Sequence, residues 1–163
     1  MDTEQSYSLG DAAIAAGVDW TRLKNWLDRK QIKLDGAEPE PGRHRRFSFL
    51  DVLRIALIGQ MVRWGLTADT SSNLVEGLLK QHFRKELREF LSDPESQAST
   101  IQMLFVNTVC AVWYDESTAI YRTRIWTSGG AGERNPVQAQ SGASVLLIDV
   151  EKIVKTAFDR LKE

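Results

Sequence analysis

Two short apolar repeats at helical spacing, the second preceded by Asp19 as its cap, have only Gly17 and Val18 between them. Leu9, Ala12, Ala13 and Ala16 form the first, and Trp20, Leu23, Trp26 and Leu27 form the second. Apolar residues three and four apart share one helix face, so each repeat predicts a helix with a single buried stripe. Ser8 can cap the first, with Asp11 three residues on in the place of a capping-box acid. Asp19 can cap the second. Glycine tolerates the left-handed conformation that ends a helix, so Gly17 predicts a sharp stop. Two helices joined this tightly must cross at an angle, which defines a helix-turn-helix unit. Their buried stripes then need a third element to pack on.

That element is predicted by Phe49 to Trp64, where Val52, Leu53, Ala56, Leu57, Met61 and Trp64 fall on one face. Ser48 is its cap, Asp51 lies in its first turn and Gly65 stops it. Between the two units runs Asp35-Gly36-Ala37-Glu38-Pro39-Glu40-Pro41-Gly42, a stretch that cannot continue a helix, followed by Arg43-His44-Arg45-Arg46-Phe47. A further helical region begins at Thr67, with Leu74, Val75, Leu78, Leu79, Phe83, Leu87, Phe90 and Leu91 as its stripe. It reads as one helix, or as two broken near Gly77 or Gln81. Ser92 to Ser96 closes it and marks a domain boundary.

The remainder has a different texture. Ile101 to Tyr114 is rich in β-branched and aromatic residues, and Ile120 to Trp126 alternates Arg122 and Arg124 with Tyr121, Thr123 and Ile125. Asp115 to Thr118 between them is a hairpin-sized turn. Thr127 to Ala143 carries four glycines and a proline and predicts a loop. Ser144 to Ile148 reads as a short strand, and Asp149 as the cap of a last helix with Ile153, Val154, Ala157, Phe158 and Leu161 inward. The predicted class is α+β: a mostly helical head over residues 7–91, then a small module over 97–163 built from a β-hairpin, a strand and a C-terminal helix. So small a module buries too little surface to stand alone, and is expected to lean on the head or on a second copy.

Charge is distributed unevenly. The 163 residues carry a net charge of −1, which excludes a uniformly basic chain. Yet Trp20 to Arg46 holds Arg22, Lys24, Arg29, Lys30, Lys33, Arg43, Arg45 and Arg46 against Asp28, Asp35, Glu38 and Glu40. A local surplus of four cations says where a polyanion would dock. No apolar run reaches the ~18–20 residues of a membrane helix. The first six residues are polar and acidic where a secretion signal would be basic and then apolar. With the single Cys110 unable to form an internal disulfide, a cytoplasmic protein is expected.

The order of helix, tight turn, helix, turn-rich segment with an arginine cluster and long helix resembles the winged helix-turn-helix domain of the MerR family of bacterial transcription regulators. The matching residues are Ser8-Leu9-Gly10-Asp11-Ala12-Ala13, Ala16-Gly17-Val18 and Arg22-Leu23-Lys24-Asn25-Trp26. A second set is Gly42-Arg43-His44-Arg45-Arg46-Phe47-Ser48 followed by Asp51-Val52-Leu53. The resemblance covers residues 7 to about 80. It implies that the second helix enters a major groove and that the arginine segment is a wing, with Phe47 packed beneath it. The chain departs from the family in having one cysteine where the metal-sensing branch clusters several. Its helical stripe also ends near Leu91, too early for the family's long dimerisation helix.

The residues suit that role. Thr21, Arg22, Lys24 and Asn25 supply donors for guanine and a paired donor and acceptor for adenine. Arg43, His44, Arg45 and Arg46 supply cations for phosphates or a minor groove. Neighbouring strand residues face opposite ways, so Arg43 with Arg45, or Arg46 with His44, would make the contact. The expected partner is double-stranded DNA bound by a homodimer, with the 97–163 module serving dimerisation or a small-molecule effector, and no membrane. Excisionase- or packaging-type DNA architects could use the same head. Small-molecule binding or catalysis by the C-terminal module and a protein-interaction adaptor are further alternatives. Catalysis there would fall to Cys110, Tyr114, Asp115, Glu116, Tyr121 and Arg124, which match no nucleophile or phosphate-loop motif. The chain is therefore not expected to be an enzyme, and no cofactor or metal is expected. His82 lacks a partner ligand, and Cys110, Trp20 and Trp26 read as core. Arg122 and Arg124 read as shields of an exposed strand face, and Arg29, Lys30 and Lys33 as either solvated charge or part of the basic island.

Overall fold

Helix α1 (Leu9–Ala16) opens with the capping box its sequence calls for. The Asp11 N–H donates to Ser8 Oγ at 3.2 Å and the Ser8 N–H donates to the Asp11 carboxylate at 3.1 Å. It ends at Gly17, whose φ of 65° is the left-handed cap, with the Val18 N–H returning to the Ala13 carbonyl at 3.0 Å. Helix α2 (Trp20–Asp28) starts at once, the Arg22 N–H donating to Asp19 Oδ1 at 2.9 Å. A computed structural model of the chain describes residues 6–34, 44–82, 101, 105–127 and 145–162.

Helix α3 (Phe49–Arg63) is capped by the Ser48–Asp51 pair in the same reciprocal manner. The single apolar face expected for it is too narrow. Every residue from Phe49 to Gly59 is buried, including Leu50, Ile55 and Ile58, because α1, helix α4 (Ala68–His82) and helix α5 (Val150–Arg160) all pack on it. Trp64, expected on the buried stripe, is instead the C-terminal cap and 64% exposed. Gly65 follows at φ 97° and turns the chain. The Thr70 N–H donates to Thr67 Oγ1 at the start of α4, which runs through Gly77 without a break and buries Val75, Leu78 and Leu79. The expected extension of this stripe through Phe83, Leu87, Phe90 and Leu91, and the boundary at 92–96, lie outside the described residues.

Strands β1 (Thr108–Asp115), β2 (Ile120–Thr127) and β3 (Val145–Asp149) form an antiparallel sheet in the order β2-β1-β3. The strand expected from Ile101 begins later: Ile101 is helical, and Phe105 to Asn107 form a turn that leads into β1. In the hairpin, Tyr114 and Tyr121 face each other across the strands with ring centroids 5.1 Å apart. The expected loop lies almost wholly outside the described residues. Asp149 ends β3 and caps α5, accepting the Lys152 N–H at 2.9 Å.

Buried side chains of both halves form one cluster, so the fold is α+β with the C-terminal helix laid against the head. Phe158 of α5 meets Phe49 of α3 edge to face at 6.0 Å between centroids. The α1–α2 turn packs against Gly59 of α3, where a Cβ would stand 2.6 Å from Val18 Cγ2. A chain of charges joins α3 to α4: Arg54 reaches Asp51 at 3.4 Å and Glu76 at 3.7 Å, and Glu76 pairs with Lys80 at 2.8 Å. Among the described residues no helix is long and apolar enough to cross a membrane.

Candidate nucleic-acid interface

At ~100° per residue, Leu23 and Trp26 define the buried side of α2, and the opposite arc is left to solvent. Thr21, Lys24 and Asn25 lie on that arc and Arg22 at its margin, ~70° from the middle of the buried side, and all four are exposed. Trp26 is 7% exposed, as expected for core. Trp20 corrects its own reading as core: it is 49% exposed. Its direction is ~90° from the middle of the buried side, at the edge of the stripe rather than within it. Lys24 forms an ion pair one turn along with Asp28, so part of its charge is already compensated. Lys33 turns the other way, its N–H donating to Ser72 Oγ at 2.9 Å and its Nζ to Asn73 Oδ1 at 3.0 Å on α4.

The arginine segment is anchored by a short antiparallel bridge. Tyr7 and Phe47 exchange both backbone hydrogen bonds, at 2.8 and 2.9 Å, which places Phe47 in the core just before the cap of α3. Arg46 donates from Nε to Ser6 Oγ at 3.1 Å and from Nη2 to the Ser6 carbonyl at 2.7 Å. It thereby ties the segment to the chain ahead of α1. His44 and Arg46 are exposed and Arg45 is half-buried. Arg43 and residues 35–42 lie outside the described residues. The Asp11 carboxyl sits below its ordinary range, chiefly because Ser8 hydrogen-bonds it and to a lesser extent because of the Arg46 charge. Burial raises the Tyr7 phenol.

These two elements share a groove of about 650 Å³. Trp20, Lys24 and Lys30 line one side, and His44, Arg45 and Arg46 the other, with the start of α1 between them. The expected residues therefore separate into two groups. Lys24, His44, Arg45 and Arg46 converge on the groove, whereas Thr21, Arg22 and Asn25 occupy the adjoining face of α2 and do not line it. The groove can hold a polyanion: three guanidinium or imidazole side chains and two ammonium groups face it, with Asp28 as the carboxylate among its lining residues. The sequence reading missed Trp20 as a surface residue here. Its position first in the helix, at the margin of the stripe, was the available signal.

The other singled-out residues are built differently. Arg122 is paired with Asp115 at 2.6 Å across the hairpin. Hydrogen bonds from Ser117, Arg122 and Thr118 hold the Asp115 carboxyl well below the usual carboxylate range. Cys110 is fully buried and its thiol is pushed up to about 12 by desolvation, which leaves it protonated and without nucleophilic character at neutral pH. Among the described residues there is no group of three His, Cys, Asp or Glu side chains that could hold a metal ion. The Asp51–Arg54–Glu76 chain escaped sequence reading because its long-range half depends on where α4 lands. The chain matches no protein-family model and no curated protein.

Proposed function

We propose that this chain is a sequence-specific double-stranded DNA-binding protein acting as a transcription regulator in the cytoplasm. In this reading α2 enters a major groove and the His44–Arg46 segment lies along the flanking backbone. The observation that carries it is the shared groove, which sets the exposed polar arc of α2 beside a fixed row of cations. Base-reading groups and phosphate-binding groups have to be displayed together in this way, because phosphate contacts set the register in which base edges are read. The resemblance of residues 7–80 to MerR-type heads supports the same assignment. A homodimer is part of the proposal, since one such helix makes few base contacts and paired half-sites multiply them.

Selection of bound sequences from a random duplex library with the full-length protein tests this reading. Enrichment of an inverted repeat is expected. Direct repeats with strong bending would favour a DNA-architectural role instead, and failure to bind any duplex at low salt would refute the proposal. Two variants then separate the roles. Arg45→Ala should weaken binding to all sequences and reduce the slope of log K against log salt by about 0.9, one phosphate contact's worth. Asn25→Ala should relax preference at one or two base pairs, by about 1–3 kcal/mol if the contact is bidentate.

A further inference from the structure

A second cationic recess lies at the opposite end of α1 from the nucleic-acid groove. It is a cleft of about 480 Å³ between the head and the C-terminal module. Gln60 and Arg63, almost one turn apart on α3, form one wall. Lys152, Thr156 and Arg160, at successive four-residue steps on α5, form the other. Such spacing puts each set on one face of its helix. The Arg63 guanidinium donates to the Gly17 carbonyl at 3.2 Å and to Gln60 Oε1 at 2.7 Å, and Arg160 donates to the Ile14 carbonyl at 3.4 Å. Both guanidiniums therefore hang over the last turn of α1, and a Cβ on Gly17 would meet Arg160 Nη1 at 2.8 Å.

The charges do not balance. Arg63, Lys152 and Arg160 form no ion pair among the described residues. Asp149 is the carboxylate among the residues lining the cleft, and it accepts the backbone N–H of Lys152 as the cap of α5. The carbonyl end of α1 adds only about half a negative charge. Three cations facing one recess thus keep a surplus of more than one positive charge, and a small anion with two charges would relieve it. Ala56 and Ile153 also line the cleft, so there is apolar surface for a short carbon skeleton beside the charged groups.

We infer that the cleft between α3 and α5 is a binding site for a small dianion, a phosphate monoester or a dicarboxylate, held by Lys152, Arg63 and Arg160. It does not rest on the nucleic-acid reading. Because Arg63 and Arg160 also hold the carbonyls of Ile14 and Gly17, a bound anion alters the groups that terminate α1 and so acts on the helix-turn-helix turn.

Thermal unfolding of the full-length protein in inorganic phosphate and in succinate, each against chloride at matched ionic strength, tests the site without DNA. At least one of the two anions, at a hundredfold excess over its Kd, should raise Tm by about 5–10 °C. A rise with phosphate alone assigns the phosphate-ester class, and a rise with succinate the dicarboxylates. Lys152→Gln, an exposed position whose side chain supports no other element, should weaken the apparent affinity about tenfold or more, the loss of one charge-assisted hydrogen bond. Amide hydrogen exchange at Gly17 and Val18 should slow when the anion is present. An equal rise in Lys152→Gln would show general salting-out by these anions and overturn the site. So would the absence of any rise over chloride.

Discussion

Gly59 and Val18 offer a stringent test of how the turn is seated. A Cβ at position 59 would stand 2.6 Å from Val18 Cγ2, with nothing else within 4 Å. That is about 1 Å inside a normal carbon–carbon contact. Val18 cannot swing clear: its side chain is short and branched, and its N–H is committed to the Ala13 carbonyl at 3.0 Å. Overpacking of this kind costs about 1–3 kcal/mol. Against it, alanine is favoured over glycine inside a helix by about 1 kcal/mol. Gly59→Ala alone should therefore be neutral to destabilising by about 2 kcal/mol, and should tilt α2 by displacing the turn. In a Val18→Ala background the obstructing methyl is gone, and the same substitution should now stabilise by about 1 kcal/mol. Urea unfolding of the four proteins of this cycle gives a coupling of about 1–3 kcal/mol. If Gly59→Ala stabilises both backgrounds equally, the turn does not rest on Gly59 and the packing argument fails.

Three other outcomes follow from the same structure. Arg54→Ala leaves Asp51 and Glu76 facing a hole in the α3–α4 interface, where the Arg54 side chain is 7% exposed, and should cost about 3–5 kcal/mol in chemical denaturation; a loss under 1 kcal/mol would mean that water already screens the network. Asp115 is depressed in the folded state, so its contribution is present above its unfolded value of about 3.9 and disappears as pH falls through the lower folded value. A Tm series from neutral pH downward should then show a flatter acid limb in Asp115→Asn, though not a flat one, because Asp11 is depressed in the same direction; superimposable curves would remove Asp115 from the account. Cys110 should resist iodoacetamide in the native protein and react in urea with the midpoint of global unfolding, whereas rapid native labelling would show that β1 opens locally.

What sequence made legible was local grammar. The caps Ser8, Asp19, Ser48 and Asp149, and the stop at Gly17, each act within a few residues, so the residues alone carry the instruction. The hairpin turn at Asp115 is of the same kind, its Oδ1 accepting the Ser117 N–H at 3.1 Å. What escaped depends on distant neighbours. A helix buried on every side has no apolar period to find, so α3 showed only part of its contact surface. Trp20 and Trp64 are apolar residues at the margins of their helices, where periodicity cannot separate the last buried position from the first exposed one. The tether of Arg46 to Ser6 and the seat of Lys33 on α4 each span about 40 residues, beyond the reach of any spacing rule. For the candidate interface, the residue types were legible and their division between groove and adjoining face was not.

The position of α3 gives those separate features a common mechanical origin. Its first residue, Phe49, follows the Ser48 cap and the bridge that anchors the arginine segment, and its ring is braced by Phe158 of α5. Ten residues on, Gly59 receives the turn that sets α2, and one turn further Arg63 holds the Gly17 carbonyl. One rigid helix therefore fixes both walls of the basic groove, and α5 touches its first residue through Phe158 and the end of α1 through Arg160. A displacement of α5 along α3 would shift Arg160 from the end of α1 and Phe158 from Phe49 together. Interfaces packed this closely move between discrete arrangements rather than by gradual deformation. Under the function proposed above, the C-terminal module need not approach a duplex to govern its binding, since α5 braces the helix on which both α2 and the arginine segment are mounted.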